Sequence, residues 1–424
     1  MLERPFLSAF AMACLSVLHQ TTMSSPVAGD ATMDRTQDNT SSKVISEEGG
    51  SVMLKAMAFS VHFHNLGTHR SQTDRHIKDI GRLFQLRYLN IKWTCITELP
   101  KQIGDLVYLD TLDVSNSSLV ELPESATRLK RLARLFVPRR TKLPDCIGDM
   151  EKLQELGNSI DIFEQSVKFV EELGKLINLR KLSVRLDYRD SDKASYEKKE
   201  MLVSSLRKLD TRKLHTLSTV FSFGGKHAET LIEKHPFFIP ALKSIREIDL
   251  RNGQLCWINK WMLSLANLEK LTLCVQRIRQ QDVDMVGGIP SLVKFSGSSF
   301  SEPVTISSNS SGGFQHLQVL EFNLCVREFM FEAGAMPNVR RLYVKIWPKD
   351  INSASGCRGG FDDIGIQHLS SLAELCVSIY CQGTRAADVE AVEVAFKSMA
   401  EANPNRPKLE MRRYQAEEML KDDE

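Results

Sequence analysis

The chain has 424 residues, 42% hydrophobic and 25% charged, an ordinary globular composition with room for one large or two small domains. A formal net charge of +2 argues neither for nor against nucleic acid, because local patches outweigh the sum. The 9 cysteines are odd in number and none forms a C-x-x-C pair, which speaks against a zinc ribbon or a thioredoxin-type site and fits reduced thiols.

At the N-terminus, Phe6 to Leu18 is mostly apolar, with Arg4 before it and small residues after it. A short signal peptide and a helix remnant both read this way, and the run is too short to span a bilayer as a helix. Residues 21–51 are rich in Ser, Thr, Gly and Asp and read as a disordered linker, so residues 1–57 are expected to precede the folded domain. Asn-x-Ser/Thr sequons at Asn39, Asn116 and Asn309 would carry glycan only in a secreted chain. Ala58–Phe63 alternates Phe59, Val61 and Phe63, which predicts a short strand. Ile77, Ile80, Leu83 and Leu86 recur every three residues, the spacing of a helical or 3₁₀ arm.

From Leu86 the chain repeats. Leu86, Leu109 and Leu132 follow one another at intervals of 23 residues, and the first two copies share L-x-x-L-x-[IV]-x-x-[TS]-x-[IL]-x-x-L-P-x-x-[IA]-x-x-L. The pair Leu-Pro stands at Leu99–Pro100 and Leu122–Pro123, then two residues early at Leu143–Pro144. This is a leucine-rich repeat by pattern and period. It predicts an α/β solenoid, a horseshoe with a parallel β-sheet on the concave face and helical or irregular convex arms. In Leu86–Lys92, Leu89 and Ile91 point inward while Tyr88, Asn90 and Lys92 point outward. Thr94 and Ser117 occupy the ninth position, where a hydroxyl is expected to bond loop backbone. The proline fixes φ and ends the strand.

Beyond Met150 the pattern loosens. Segments opening at Leu153, Leu179, Leu214, Ile245, Leu268, Leu292, Leu317, Val339 and Leu372 continue it, for about eleven repeats in all, the first and fourth doubtful. Tyr188–Tyr196 reads as a charged insertion and Tyr196–Leu209 as an amphipathic helix. His235–Pro240, Ser296–Gly313 and Pro348–Gly360 read as loops. Ala386–Ala402 has helical periodicity that ends at Asn403–Pro404, and Lys408–Arg412 suits a last strand. The repeat domain thus runs from 58 to 413 with a C-terminal cap, followed by a charged tail, 414–424.

No P-loop, dinucleotide fingerprint, H-E-x-x-H or G-x-S-x-G motif is present, and Gly224-Gly225-Lys226 lacks both the loop and the hydroxyl of a P-loop. No catalytic, cofactor-binding or metal residue is therefore assigned. His62 and His64 share a strand face without an evident third ligand, and Cys376 and Cys381 read as small packing residues. Binding is the remaining chemistry. The outward positions of the strands form two basic-aromatic clusters, Tyr88/Lys92/Arg134/Phe136 and Arg341/Tyr343/Lys345, with Lys181 and Arg185 between them and an acidic step at Glu247 and Asp249. Aromatic residues and arginine are the types enriched in binding hot spots.

The stretches HIKDIGRLFQLRYLNI, TCITELPKQIGDLVYLDTLDVS, LPESATRLKRLARL, LINLRKLSVRL and FKSMAEANPNRPKLEMRR resemble the leucine-rich-repeat region of cereal intracellular immune receptors, the coiled-coil nucleotide-binding disease-resistance proteins. The resemblance covers roughly Ala58 to Arg413. It implies a protein partner: a pathogen effector, a guarded host protein or another immune receptor. It also implies a cytoplasmic location, no cofactor, no nucleic acid and no membrane span, with secretion as the alternative if residues 1–28 act as a signal peptide. The nucleotide-binding switch of such receptors is missing, so the chain resembles their sensing part, or a nonfunctional truncated receptor.

Overall fold

The computed structural model describes residues 60–62, 80–188, 193–223, 242–255, 264–275, 278–299, 304–307, 314–324, 329–349 and 364–420. The N-terminal apolar run, the linker, His64 and the loop at His235–Pro240 lie outside them, as do Asn39 and Asn309. Strands β1 (Ser60–His62), β2 (Tyr88–Asn90), β3 (Thr111–Asp113) and β4 (Arg134–Phe136) are followed by β5 (Glu155–Asp161), β6 (Lys181–Tyr188), β7 (Thr216–Phe223) and β8 (Glu247–Leu255). Then come β9 (Lys270–Val275), β10 (Lys294–Ser299), β11 (Val304–Ile306), β12 (Val319–Leu324), β13 (Phe329–Phe331), β14 (Arg341–Ile346), β15 (Glu374–Tyr380) and β16 (Lys408–Tyr414). All but β11 and β13 form one 14-stranded sheet in which consecutive repeats pair. The array is therefore longer than the expected eleven repeats, and the doubtful first and fourth repeats both supply a strand.

Every pairing in that sheet is parallel, and the registers align one framework column through the molecule. Leu89, Leu112, Leu135, Leu156, Leu182, Leu217, Ile248, Leu271, Phe295, Leu320, Leu342 and Leu375 all stand in it and all are buried. A single repeat has too little apolar surface to bury its own face; stacking neighbours makes the core continuous.

The convex side changes along the chain. After Pro100 and Pro123, held at φ −66° and −63°, the arms are 3₁₀ turns at Lys101–Asp105 and Glu124–Arg128. Neighbouring arms stack so closely that a Cβ on Gly104 would lie 2.2 Å from the Ser125 carbonyl oxygen. From Val167 onward α-helices fill several of the arms, α1 (Val167–Leu173), α2 (Lys193–Asp210), α3 (Gln280–Gly287) and α4 (Ala386–Ala402), while Ile366–His368 is again a 3₁₀ turn. Ser166 caps α1 by accepting from the Phe169 N–H at 2.9 Å. At the far end, buried Asn403 donates to the carbonyls of Ile366 and Leu369 at 2.8 and 3.2 Å and ties α4 to the arm before it.

The loops behave as the hydroxyl reading expects. Thr94 Oγ1 donates to the Ile91 carbonyl at 2.7 Å, and Ser117 Oγ accepts from the Leu119 N–H at 3.3 Å. Further on, Thr141 Oγ1 donates to the Leu119 carbonyl at 2.8 Å and buried Gln165 accepts from the Leu143 N–H at 2.9 Å.

Other expectations need correction. Ser296–Gly313 is not simply a loop. Its first residues finish β10, and Val304–Ile306 pairs with Phe329–Phe331 in a second, 2-stranded sheet. Val304 and Ile306 are buried, with Phe322, Phe329 and Phe331 packed ring to ring nearby at 4.7 to 6.4 Å. The serines around Val304 mask a three-residue alternation that burial makes a strand. The charged insertion shrinks too: Tyr188 belongs to β6 and α2 already starts at Lys193. The tail begins later than Tyr414, which closes β16. Leu420 N–H donates to the Thr384 carbonyl at 3.0 Å and Gly383 N–H to the Glu418 carbonyl at 2.9 Å, so this segment folds back on the last loop.

Candidate functional site

The outward columns of the parallel sheet are the surface that the repeats build. Because side chains alternate across a strand, each residue flanking a framework leucine faces the concave side. In β14 the alternation is plain: Leu342, Val344 and Ile346 are buried while Arg341, Tyr343 and Lys345 are exposed or half-buried.

At the N-terminal end, Tyr88, Thr111 and Arg134 share one row across β2, β3 and β4. Arg134 Nε donates to Thr111 Oγ1 at 2.9 Å, and Thr111 is buried beneath that contact. Asn90 and Ser115 are buried as well, so these outward positions are covered by their neighbours. Asn90 Oδ1 accepts from the Lys92 N–H at 3.1 Å, and its amide lies 3.4 Å from the Tyr88 hydroxyl. Phe136 stands in the next row, opposite Gly157, whose missing side chain leaves space for the ring: a Cβ there would be 3.0 Å from Phe136 Cδ1. The structure thus brings Tyr88, Arg134 and Phe136 onto one patch and puts Lys92 at its margin.

Beside Lys92 lies a residue that the sequence reading missed. Trp93 is 61% exposed and sits at φ +62°, in the left-handed region. In the next copy the same position is Asn116, at φ +55°. Asparagine tolerates this conformation and a bulky side chain strains it.

In the middle of the sheet Lys181 opens β6 and is exposed, whereas Arg185 is half-buried in register with Val220. Here Arg180, Lys181 and Arg246 surround His215. Burial lowers the pKa of its imidazole, and those three cations lower it further. Arg246 also reaches Glu269 at 3.5 Å.

At the C-terminal end, Arg341, Tyr343 and Lys345 line a shallow depression of about 500 Å³ with Lys294, Glu321 and Ser378. Two of the expected contact cations are tied across strands: Arg341 Nε to Glu374 at 3.0 Å and Lys345 Nζ to Glu321 at 2.5 Å. Burial pushes the Glu321 carboxyl up, but the hydrogen bond and charge of Lys345, with Lys294 and Ser296, outweigh it and hold the group below its ordinary value.

The largest surprise is a fourth outward row. Trp347, Tyr380 and Tyr414 stack as a ladder, with ring centroids 4.4 Å apart at 8° and 5.2 Å apart at 17°. Each ring stands five residues after its framework residue, Leu342, Leu375 or Leu409. That shared offset is the signal that could have found the ladder; reading only three outward positions per strand stops short of it.

Among the described residues, Cys95, Cys146, Cys376 and Cys381 are free thiols. Burial raises the pKa of Cys376, helped by Glu410 and Glu374, and burial raises that of Cys381, so both stay protonated and suit packing. The side chain of His62 lies outside what is described. Among the described residues there is no group of three or more His, Cys, Asp or Glu placed to hold a metal, and no helix long and apolar enough to cross a membrane.

Comparison with known proteins gives the same architecture. A family model described as a leucine-rich repeat region matches residues 41–409. The disease resistance protein RGA5 of Oryza sativa subsp. japonica is 29% identical over 344 residues, which span 80% of this chain and 30% of that protein. The rice disease resistance protein Pik-2 is 26% identical over 259 residues, 52% of this chain and 24% of that protein. The chain therefore spans less than a third of either relative. Among solved structures, an internalin from Listeria monocytogenes superposes with a TM-score of 0.43 at 14% identity, covering 78% of this chain and 81% of that one.

Proposed function

The chain belongs to the leucine-rich repeat region family, and from that premise we propose that it is the recognition module of a plant disease-resistance system, taking a protein partner on its concave sheet. The partner is a pathogen effector, a guarded host protein or another immune receptor. The observation that carries this reading is the pair of aromatic and cationic patches at the two ends of the concave face, Tyr88/Trp93/Arg134/Phe136 and Arg341/Tyr343/Lys345 with the ladder beside them. Tyrosine and arginine side chains held on a rigid sheet, with Trp93 in the turn after β2, lose little conformational entropy on binding, which favours them as anchors. Lys92, Lys181 and Arg185 contribute charge between and around these anchors. The module binds without turnover. We place it in the cytoplasm, which its free thiols suit, and take the folded unit to run from about residue 58 through the segment that packs back at Leu420.

The test is pairwise co-expression of the chain with candidate effectors and immune receptors, read by co-precipitation with two kinds of variant. Arg134→Glu with Phe136→Ala alters the concave face. Lys101→Glu with Arg128→Glu alters the exposed convex arms. Loss of a partner with the first pair and retention with the second is the expected result. Equal binding by both variants would mean that the concave face is not the site.

A further inference from the structure

The ladder borders a row of a different kind. Lys345, Ser378 and Arg412 are in register on β14, β15 and β16, each two residues before a ladder ring. Ser378 is short and leaves a dip between the two cations, whose strands lie about 9.6 Å apart, two strand spacings. Lys345 is held by Glu321, but Arg412 is only 3.7 Å from Glu410 and its side chain is 71% exposed. The rings cover one another's faces. A partner meets their edges, the phenol hydroxyls, and the outer face of Tyr414, which is 40% exposed on the edge strand of the sheet.

We propose that this corner of the concave face, Lys345, Ser378 and Arg412 beside Trp347, Tyr380 and Tyr414, binds an extended protein segment carrying a carboxylate side chain and, two residues on, an aromatic one. The inference rests on the recognition function proposed above and names the partner's chemistry at one end of that surface. The carboxylate takes charge-assisted hydrogen bonds from Arg412 and Lys345 over the Ser378 hydroxyl. The aromatic side chain packs on Tyr414 and the edge of Tyr380, the offset or edge-on geometry that ring pairs prefer. Spacing sets the interval: two residues of extended chain advance about 6.6 Å, the separation of the cationic row from the ladder. Charge points the same way, since on β12 and β14–β16 the outward cations Arg341, Lys345, Lys408 and Arg412 outnumber Glu321, Glu374 and Glu410. Single-stranded nucleic acid also uses cations and aromatic platforms, but it needs free ring faces for its bases. Here the faces are stacked on each other and three carboxylates would oppose the phosphates.

Fluorescence anisotropy on the full chain tests the proposal. The probes are labelled extended peptides of about twelve residues with a central Asp-Thr-Phe, Lys-Thr-Phe or Asp-Thr-Ser, and an oligo-dT of similar length. Both variants, Arg412→Glu and Tyr414→Ala, change exposed side chains, and circular dichroism checks that each is folded. The Asp-Thr-Phe peptide should bind best, and either variant or either peptide change should weaken it by about tenfold or more. Arg412→Glu should bind Lys-Thr-Phe more tightly than Asp-Thr-Phe, a reversal that misfolding does not produce. Equal binding to wild type and both variants, or preference for oligo-dT, overturns the proposal. If those peptide results fail while the co-precipitated partner still depends on Arg134 and Phe136, the recognition function stands and only the partner chemistry assigned here is wrong.

Discussion

The repeats between Leu86 and Met150 and those between Val319 and Tyr414 solve one packing problem in two ways. In the first region the strands are 3 residues long and the arms are 3₁₀ turns. In the second the strands of the 14-stranded sheet are 6 or 7 residues long, and a 17-residue α-helix fills the last arm. In the first region the outward surface on these short strands is two rows deep. Where the strands run on they add rows, even in a repeat as short as the one from Leu317 to Val339. Tyr380 and Tyr414 are the last residues of their 7-residue strands. In the short repeats the corresponding positions are already loop, Thr94 and Ser117, whose hydroxyls bond nearby backbone. The longer strands of the second region thus create the deeper binding face.

Truncating the shared framework column should give the largest effect in both regions. Leu112→Ala and Leu375→Ala remove fully buried side chains and should each cost about 2–5 kcal/mol in denaturant unfolding. A loss below about 0.5 kcal/mol at either site would break the claim that one column runs through both regions. Next is Gly104→Val, whose Cβ would meet the Ser125 carbonyl oxygen in the stacked 3₁₀ arms; about 1–3 kcal/mol or more should be lost. If that variant unfolds at the wild-type denaturant midpoint, the arms are looser than the tight repeats require.

Trp93→Asn should move stability the other way. It matches the residue in the next copy, relieves a left-handed tryptophan, and should gain about 0.5–1 kcal/mol while weakening partner binding. A stabilised variant that binds normally would make Trp93 a mere defect. The smallest effect separates the regions by pH. Lys345 holds the Glu321 carboxyl below its ordinary value, so the pair's stabilisation is present above the unfolded carboxylate pKa and is lost as pH falls through the lower folded one. Glu321→Gln should flatten that part of an acid-unfolding profile, and an unchanged profile would show the pair to be idle.

The same contrast explains what was legible in the sequence. Where the period is constant, partners can be read by counting: Arg128 meets Asp105 and Arg134 meets Thr111, both pairs 23 residues apart. Where it varies, the framework residues still announce the fold, since their spacing within each repeat survives. Cross-strand partners do not: Arg341 meets Glu374 at a separation of 33 and Lys345 meets Glu321 at 24. Ion pairs therefore partly neutralise the basic cluster at Arg341 and Lys345. Asn90 is outward by alternation yet lies buried, and so does Thr111 in the next copy, because alternation tells which side a residue faces and not how tall its neighbours are.

The most direct measurement is hydrogen exchange on the chain bound to a co-precipitated partner, compared with the chain alone. Protection concentrated in β2–β4 and β14–β16 and their following loops, with the arms at Lys101–Asp105 and Glu124–Arg128 unchanged, is the expected result. Protection confined to those convex arms would contradict recognition by the concave face.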